Sequence, residues 1–207
     1  MAESKTKKKP IIKAVLFDLG GVVMSGGYLP FLRQFCFECL TPQGKTMITE
    51  LEHQANLGTI TETQFYKKIK EIFHLHLTPK EMHRLIVKKM QPNKSLIKFI
   101  PHLRPAQIAM FTNSIGHMSP EILRERHVPA KKIFAKVFIS SRIHLAKPET
   151  KAYAFVVKKL GLKPRQVLMV DDRPENIVSA KKFGMQGIVF KNTAQFKKAI
   201  RSYDLAK

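Results

Sequence analysis

The 207-residue sequence contains no tryptophan and only two cysteines. The missing tryptophan decides nothing about function, but the shortage of cysteine does. Cys36 and Cys39 form a CxxC pair, a spacing that suits thiol redox chemistry or half of a zinc site. A closed zinc site needs four ligands, and no second cysteine pair exists to complete one. Both thiols fall on the apolar stripe Leu32, Phe35, Cys36, Cys39 and Leu40, at helical spacing. They read as buried free thiols in a reducing compartment. Long apolar runs are lacking too, and none is long enough to span a bilayer. The apolar run behind the basic N-terminal tail imitates a signal peptide, but Lys13 and Asp18 interrupt it and no cleavage site follows. The chain therefore reads as soluble and cytoplasmic.

Acidic residues are also scarce. Against 37 Lys plus Arg stand 15 Asp plus Glu, for a net charge of +22. Such a surface attracts polyanions and phosphorylated ligands, in a salt-dependent way. The tail "ESKTKKKP" holds only a small part of the excess; the rest is spread over the chain. A plain solvated surface explains this more economically than a polyanion- or nucleic-acid-binding face. No nucleic-acid motif accompanies the charge. No internal repeat is present, and no low-complexity segment beyond the tail.

What is present suffices for a core: 44% of the residues are apolar, and the length suits one α/β domain carrying an insertion. Residues 1–10 read as a disordered basic tail. Residues 11–17, "IIKAVLF", read as a strand buried on both faces. Four helical patterns follow, at about 29–40, at about 44–57, and behind two capping boxes. One box runs from Thr61 to Gln64; the other runs from Thr78 to Glu81, with Pro79 in the first helical position. "SLIKFI" makes a short fifth helix. From residue 106 the texture alternates: "AQIAMFT", "IFAKVFIS", "QVLMV" and "QGIVF" read as strands, separated by helical patterns, two of which close on Gly161 and Gly184. Alternation of this kind predicts a parallel sheet with helices on both faces. The expected organisation is a core of residues 11–24 and 103–207, with residues 25–102 as a helical insertion.

In an open parallel sheet, ligands sit at the carboxyl ends of the strands. Asp18 ends the first strand, Thr112 and Asn113 the second, and Asp171 and Asp172 the fourth. Lys147 lies in "LAKPET", just before a helix. Taken singly, each is an ordinary turn, cap or surface residue. Taken together, three carboxylates converge, and they repel one another unless a cation sits among them. Oxygen ligands favour Mg²⁺, and Thr112, Asn113 and Lys147 suit phosphate oxygens.

These segments resemble the four motifs of the haloacid dehalogenase superfamily: "FDLGGV", "FTNS", "KPE" and "VDDRPENIVSAKKFGM". The resemblance covers residues 11 to about 200. It is nearest to the helical-cap group of sugar-1-phosphate phosphatases and epoxide hydrolase N-terminal domains, where a segment similar to "GTITETQF" recurs. It implies a Rossmann-like sheet of five strands in the order 5-4-1-2-3. It also implies a Mg²⁺-dependent phosphatase acting on a small phosphorylated metabolite. In that scheme Asp18 attacks phosphorus and forms an aspartyl-phosphate. Mg²⁺ is held by Asp18, the Gly20 carbonyl and Asp172. Thr112 and Asn113 bind phosphoryl oxygens, Lys147 bridges Asp18 and the phosphate, and Asp171 and Asn176 support the metal shell.

One position departs from the pattern. The superfamily's first motif usually places a second Asp where this chain has Gly20, and that Asp acts as general acid and base. Such help is typically worth about 10²–10⁴ in rate. Leaving groups of low pKa need less of it. Otherwise a residue of the insertion or a water supplies the proton, or the protein binds phosphate and turns over poorly. A weakly active polyanion binder is thus the alternative to the enzyme. Gly26 and Gly27 are candidates for a hinge; Tyr28, Phe31 and Arg33 for the pocket wall. His117 reads as a surface or capping residue.

Overall fold

The computed structural model describes residues 11–25 and 41–205. The expected helix at 29–40, Cys36, Cys39, Gly26, Gly27, Tyr28, Phe31 and Arg33 lie outside the described residues. Strand β1, Ala14–Phe17, is buried along its whole length. Its alternation divides the core. Val15 and Phe17 join one apolar cluster, while Ala14 and Leu16 join another on the opposite face of the sheet. This two-faced burial is what a central parallel strand requires.

Next along the chain come β2 (Met24–Ser25) and helices α1 (Pro42–Asn56), α2 (Glu62–Ile72) and α3 (Pro79–Lys89). They are followed by β3 (Gln91–Pro92), α4 (Lys94–Phe99) and β4 (Gln107–Thr112). Both expected capping boxes form: the Thr61 and Thr78 hydroxyls each accept from the main-chain N–H three residues on, and Gln64 and Glu81 reach back. Beyond β4 lie α5 (Met118–Glu125), α6 (Ala130–Ile133), β5 (Lys136–Ile139), α7 (Ser140–Ile143), α8 (Thr150–Leu160) and β6 (Val167–Asp171). The chain continues through α9 (Pro174–Lys182), β7 (Gln186–Val189) and α10 (Thr193–Ile200). Among the described residues, no helix is long and apolar enough to cross a membrane.

The five core strands run in the spatial order β5-β4-β1-β6-β7, and every adjacent pair is parallel. Counted among core strands alone, this is the expected order 5-4-1-2-3 read from the far edge. The strand expected over "IFAKVFIS" is shorter than predicted. Pro129 opens a helical turn over Ala130–Ile133, so pairing begins only at Lys136.

A second, two-stranded sheet escapes periodicity altogether. β2 and β3 pair antiparallel, Met24 opposite Pro92 and Ser25 opposite Gln91. Asn93 fastens the crossing: its main-chain N–H donates to Val23 O at 2.9 Å and its amide to Val22 O at 3.1 Å. The chain therefore leaves the core and re-enters it at one point.

Candidate active site

The β1 end is a tight turn. Asp18 donates its main-chain N–H to Val170 O at 2.9 Å, and Met24 returns to donate to Leu19 O at 2.8 Å. Between them Gly21 adopts φ +70°, and a Cβ there would lie 2.1 Å from Asp172 Oδ2. Only glycine lets the β1 turn and the β6 turn approach this closely. Gly20 is under no such constraint: a Cβ built on it meets nothing nearer than Asp18 Oδ2, at 4.0 Å.

Asp18, Asp171 and Asp172 place carboxylate oxygens within 4.8 Å of one another. Lys147 enters this group buried, its Nζ 2.7 Å from Asp18 Oδ1 and 2.6 Å from Asp171 Oδ2. The other Asp171 oxygen accepts from the Asn176 amide and the Arg173 main-chain N–H, each at 2.9 Å. Asp171 is thus fully engaged, and it holds Lys147 rather than facing the open site. Tyr153 in turn donates to Asn176 O at 2.8 Å.

Asn113 departs from expectation. Its amide donates to Lys147 O at 2.8 Å, and its Oδ1 accepts the Lys147 main-chain N–H at 2.9 Å. The side chain expected on a phosphoryl oxygen instead fixes the lysine loop. Thr112 is buried at the β4 end and lines the site cavity. Beneath it, Ser114 donates its main-chain N–H to Ser140 Oγ at 3.0 Å, and the hydroxyls of Ser114 and Ser119 meet. Sequence reasoning missed this buried serine cluster. His117 is exposed beside Arg142, away from the cavity.

Three carboxylates share one ammonium. Burial pushes the Asp18 carboxyl up to about 7; Lys147 opposes this, and Asp171 and Asp172 add to it. Burial also raises Asp172, with Asp171 contributing. For Lys147, burial works against the charge, but the two aspartates outweigh it and the net displacement is upward. This surplus of negative charge is what a divalent cation relieves. With Lys147 on Asp18 Oδ1 and Asp171 engaged, the carboxylate oxygens left for a cation are Asp18 Oδ2 and those of Asp172. An all-oxygen set of this kind fits Mg²⁺.

The site opens into a cavity of about 440 Å³. Asp18, Gly20, Thr112, Asn113, Lys147, Asp172 and Arg173 form its floor. Glu52 and Asn56 of α1, with Met90, approach from the insertion, and Ile115, Met118 and Ile122 make an apolar wall. Glu52, Asn56 and Arg173 were not singled out from sequence.

Fold and site together define a parallel α/β protein with a carboxylate–lysine centre at its strand ends. A family model for haloacid dehalogenase-like hydrolases matches residues 12–184, so the chain belongs to that family and is a hydrolase. Among curated proteins it is similar to Drimenol cyclase drtB of Aspergillus calidoustus, 22% identical over 87% of this chain. The chain spans only 34% of that protein's length. It is also similar to Sesquiterpene phosphatase astK of Aspergillus oryzae, 23% identical over 85% of this chain and 88% of the relative. Hexitol phosphatase A of Escherichia coli is 27% identical over 81% of this chain and 77% of its own. Among solved structures, a family enzyme from Bacteroides thetaiotaomicron in complex with magnesium and inorganic phosphate has a TM-score of 0.69 at 20% identity. The match covers 88% of this chain and 96% of that one, and the likeness is one of fold.

Proposed function

We propose that the protein is a cytoplasmic, Mg²⁺-dependent phosphatase that hydrolyses a small phosphorylated metabolite through an aspartyl-phosphate on Asp18. The observation that carries this reading is the Lys147 ammonium between Asp18 and Asp171, 2.7 Å and 2.6 Å away, at the floor of a cavity. Lys147 holds Asp18 in place, and its charge offsets that of an incoming phosphoryl group. The Asp18 carboxylate attacks phosphorus, the leaving oxygen departs, and water then cleaves the acyl phosphate. Thr112 and the Asn113 N–H bind phosphoryl oxygens, while Asp171 and Asn176 position Lys147. When bound by Asp18, Gly20 O and Asp172, Mg²⁺ supplies positive charge against the phosphoryl oxygens.

Residues 25–102 serve as a lid over the cavity. Glu52, Asn56 and Met90 face the leaving group, and Met90 with the Ile115–Met118–Ile122 wall accepts its apolar part. Relatives named for sesquiterpene and hexitol phosphates support a phosphate monoester with either an apolar or a polyol body.

The test is phosphate release from sugar, terpenyl and acyl phosphates, with and without Mg²⁺, with Asp18→Asn as control. Metal-dependent turnover that disappears in the control supports the reading. Absence of turnover, with salt-sensitive retention on an anionic polymer, overturns it in favour of a polyanion binder drawing on the +22 charge.

A further inference from the structure

The turn at Gly20 lacks a group able to donate a proton, although nothing in its surroundings forbids a side chain there. Lys147 is held by two carboxylates, and the Asp171 oxygens are already engaged. Asp18 and Asp172 line the cavity at the strand ends; among the described lining residues the one further carboxylate is Glu52, which comes from α1. Asn56, one turn further along the same helix, lines the cavity with it and is buried.

We propose that Glu52 is the general acid and base of this site, replacing from the insertion the acid that the β1 turn does not carry. This rests on the phosphatase reading above. In the first half-reaction the Asp18–phosphorus bond forms and the bond from phosphorus to the leaving oxygen breaks. The Glu52 proton goes to that oxygen. In the second, a water oxygen bonds to phosphorus and the Asp18–phosphorus bond breaks. The water's proton goes to the Glu52 carboxylate, and the starting state is restored.

The surroundings suit the task. Glu52 is half-buried, and burial pushes its carboxyl upward against the pull of the Arg173 guanidinium. An acid raised toward neutrality is what proton donation near pH 7 calls for. Arg173 is itself paired with Glu175 at 3.0 Å, which divides its influence. The other charged groups lining the cavity are Asp18, Asp172 and Lys147. An electrostatic clamp between Glu52 and Arg173 is the competing role, and it would be indifferent to the leaving group.

The experiment compares kcat/KM for alkyl phosphates with that for 4-nitrophenyl phosphate, in the wild type and in Glu52→Gln. On alkyl esters the variant is expected to lose about 10²–10⁴-fold. On 4-nitrophenyl phosphate, whose leaving group needs no proton, kcat/KM falls far less. A stoichiometric burst of nitrophenol then appears, because hydrolysis of the aspartyl-phosphate has also lost its base. In the Glu52→Gln background, Gly20→Asp restores part of the alkyl activity. An equal loss on all substrates, or no loss on alkyl esters, overturns the proposal while the phosphatase stands. A wild type inert even toward 4-nitrophenyl phosphate overturns the phosphatase reading, and this proposal with it.

Discussion

Asn113 and Lys147 are joined by a reciprocal pair of hydrogen bonds, 2.8 Å from the Asn113 amide to Lys147 O and 2.9 Å from the Lys147 N–H to Asn113 Oδ1. An amide at the end of β4 thereby sets the position of a lysine from a distant loop. Asn113→Ala leaves both main-chain groups of Lys147 without these partners. The expected cost is about 1–3 kcal/mol in stability by urea denaturation. Misplacement of Nζ should lower kcat by about 10²-fold. A variant with wild-type stability and kcat would remove the positioning role.

Asp18 gives a pH dependence of definite sign. Its carboxyl rises from 3.8 to about 7 on folding, so the folded protein binds the extra proton. The stability this confers is present at low pH and is lost as pH climbs through about 7. Mg²⁺ favours the ionised carboxylate, and its binding therefore releases that proton. The Mg²⁺-induced rise in Tm should grow from about pH 6 to about pH 8 and flatten in Asp18→Asn. A rise independent of pH would contradict the assignment.

The two adjacent glycines should respond oppositely to a methyl group. Gly21→Ala forces a left-handed conformation, roughly 1–2 kcal/mol from backbone sterics alone. It also drives the new Cβ into Asp172, whose Oδ2 and Cγ would lie at 2.1 and 2.4 Å. Both Tm and Mg²⁺ affinity, measured by calorimetry, should fall. Gly20→Ala should leave stability within about 1 kcal/mol of the wild type.

His83 ties the insertion to the core. Its Nδ1 lies 2.5 Å from Glu62 Oε1 on α2, and its Nε2 lies 3.1 Å from Glu121 Oε1 on α5. Burial works against the imidazolium, but the two glutamates prevail and raise its pKa above 6.5. The stability from this group is therefore complete below pH 6.5 and declines as pH rises through the folded value. Denaturation midpoints measured between about pH 5 and about pH 9 should fall less steeply in His83→Gln than in the wild type, the slope that remains being that of Asp18.

The strand-end residues were legible because an apolar run that stops on Asp18, Thr112 or Asp171 has a physical oddity in one dimension. The capping boxes at Thr61 and Thr78 were legible for the same reason, since each closes within four residues. Glu52, Asn56 and His83 were not. Nothing in a helical repeat says which neighbour its polar face will meet, and theirs is settled by the packing of insertion on core. Asn113 was found but its partner was not, because a hydrogen bond to a main chain 34 residues away leaves no mark on local sequence. Strands β2 and β3, two residues each, are too short to show a period.

The crossing of Met24–Ser25 with Gln91–Pro92, pinned by Asn93, makes everything between these strands a cassette with adjoining ends. Grafting such a cassette onto another scaffold of this architecture requires matching two splice points a few ångströms apart, and Glu52, Asn56 and Met90 travel with it. On the function proposed above, such a graft should carry leaving-group contacts and the Glu52 proton transfer across as a block, while the strand-end nucleophile stays in the recipient.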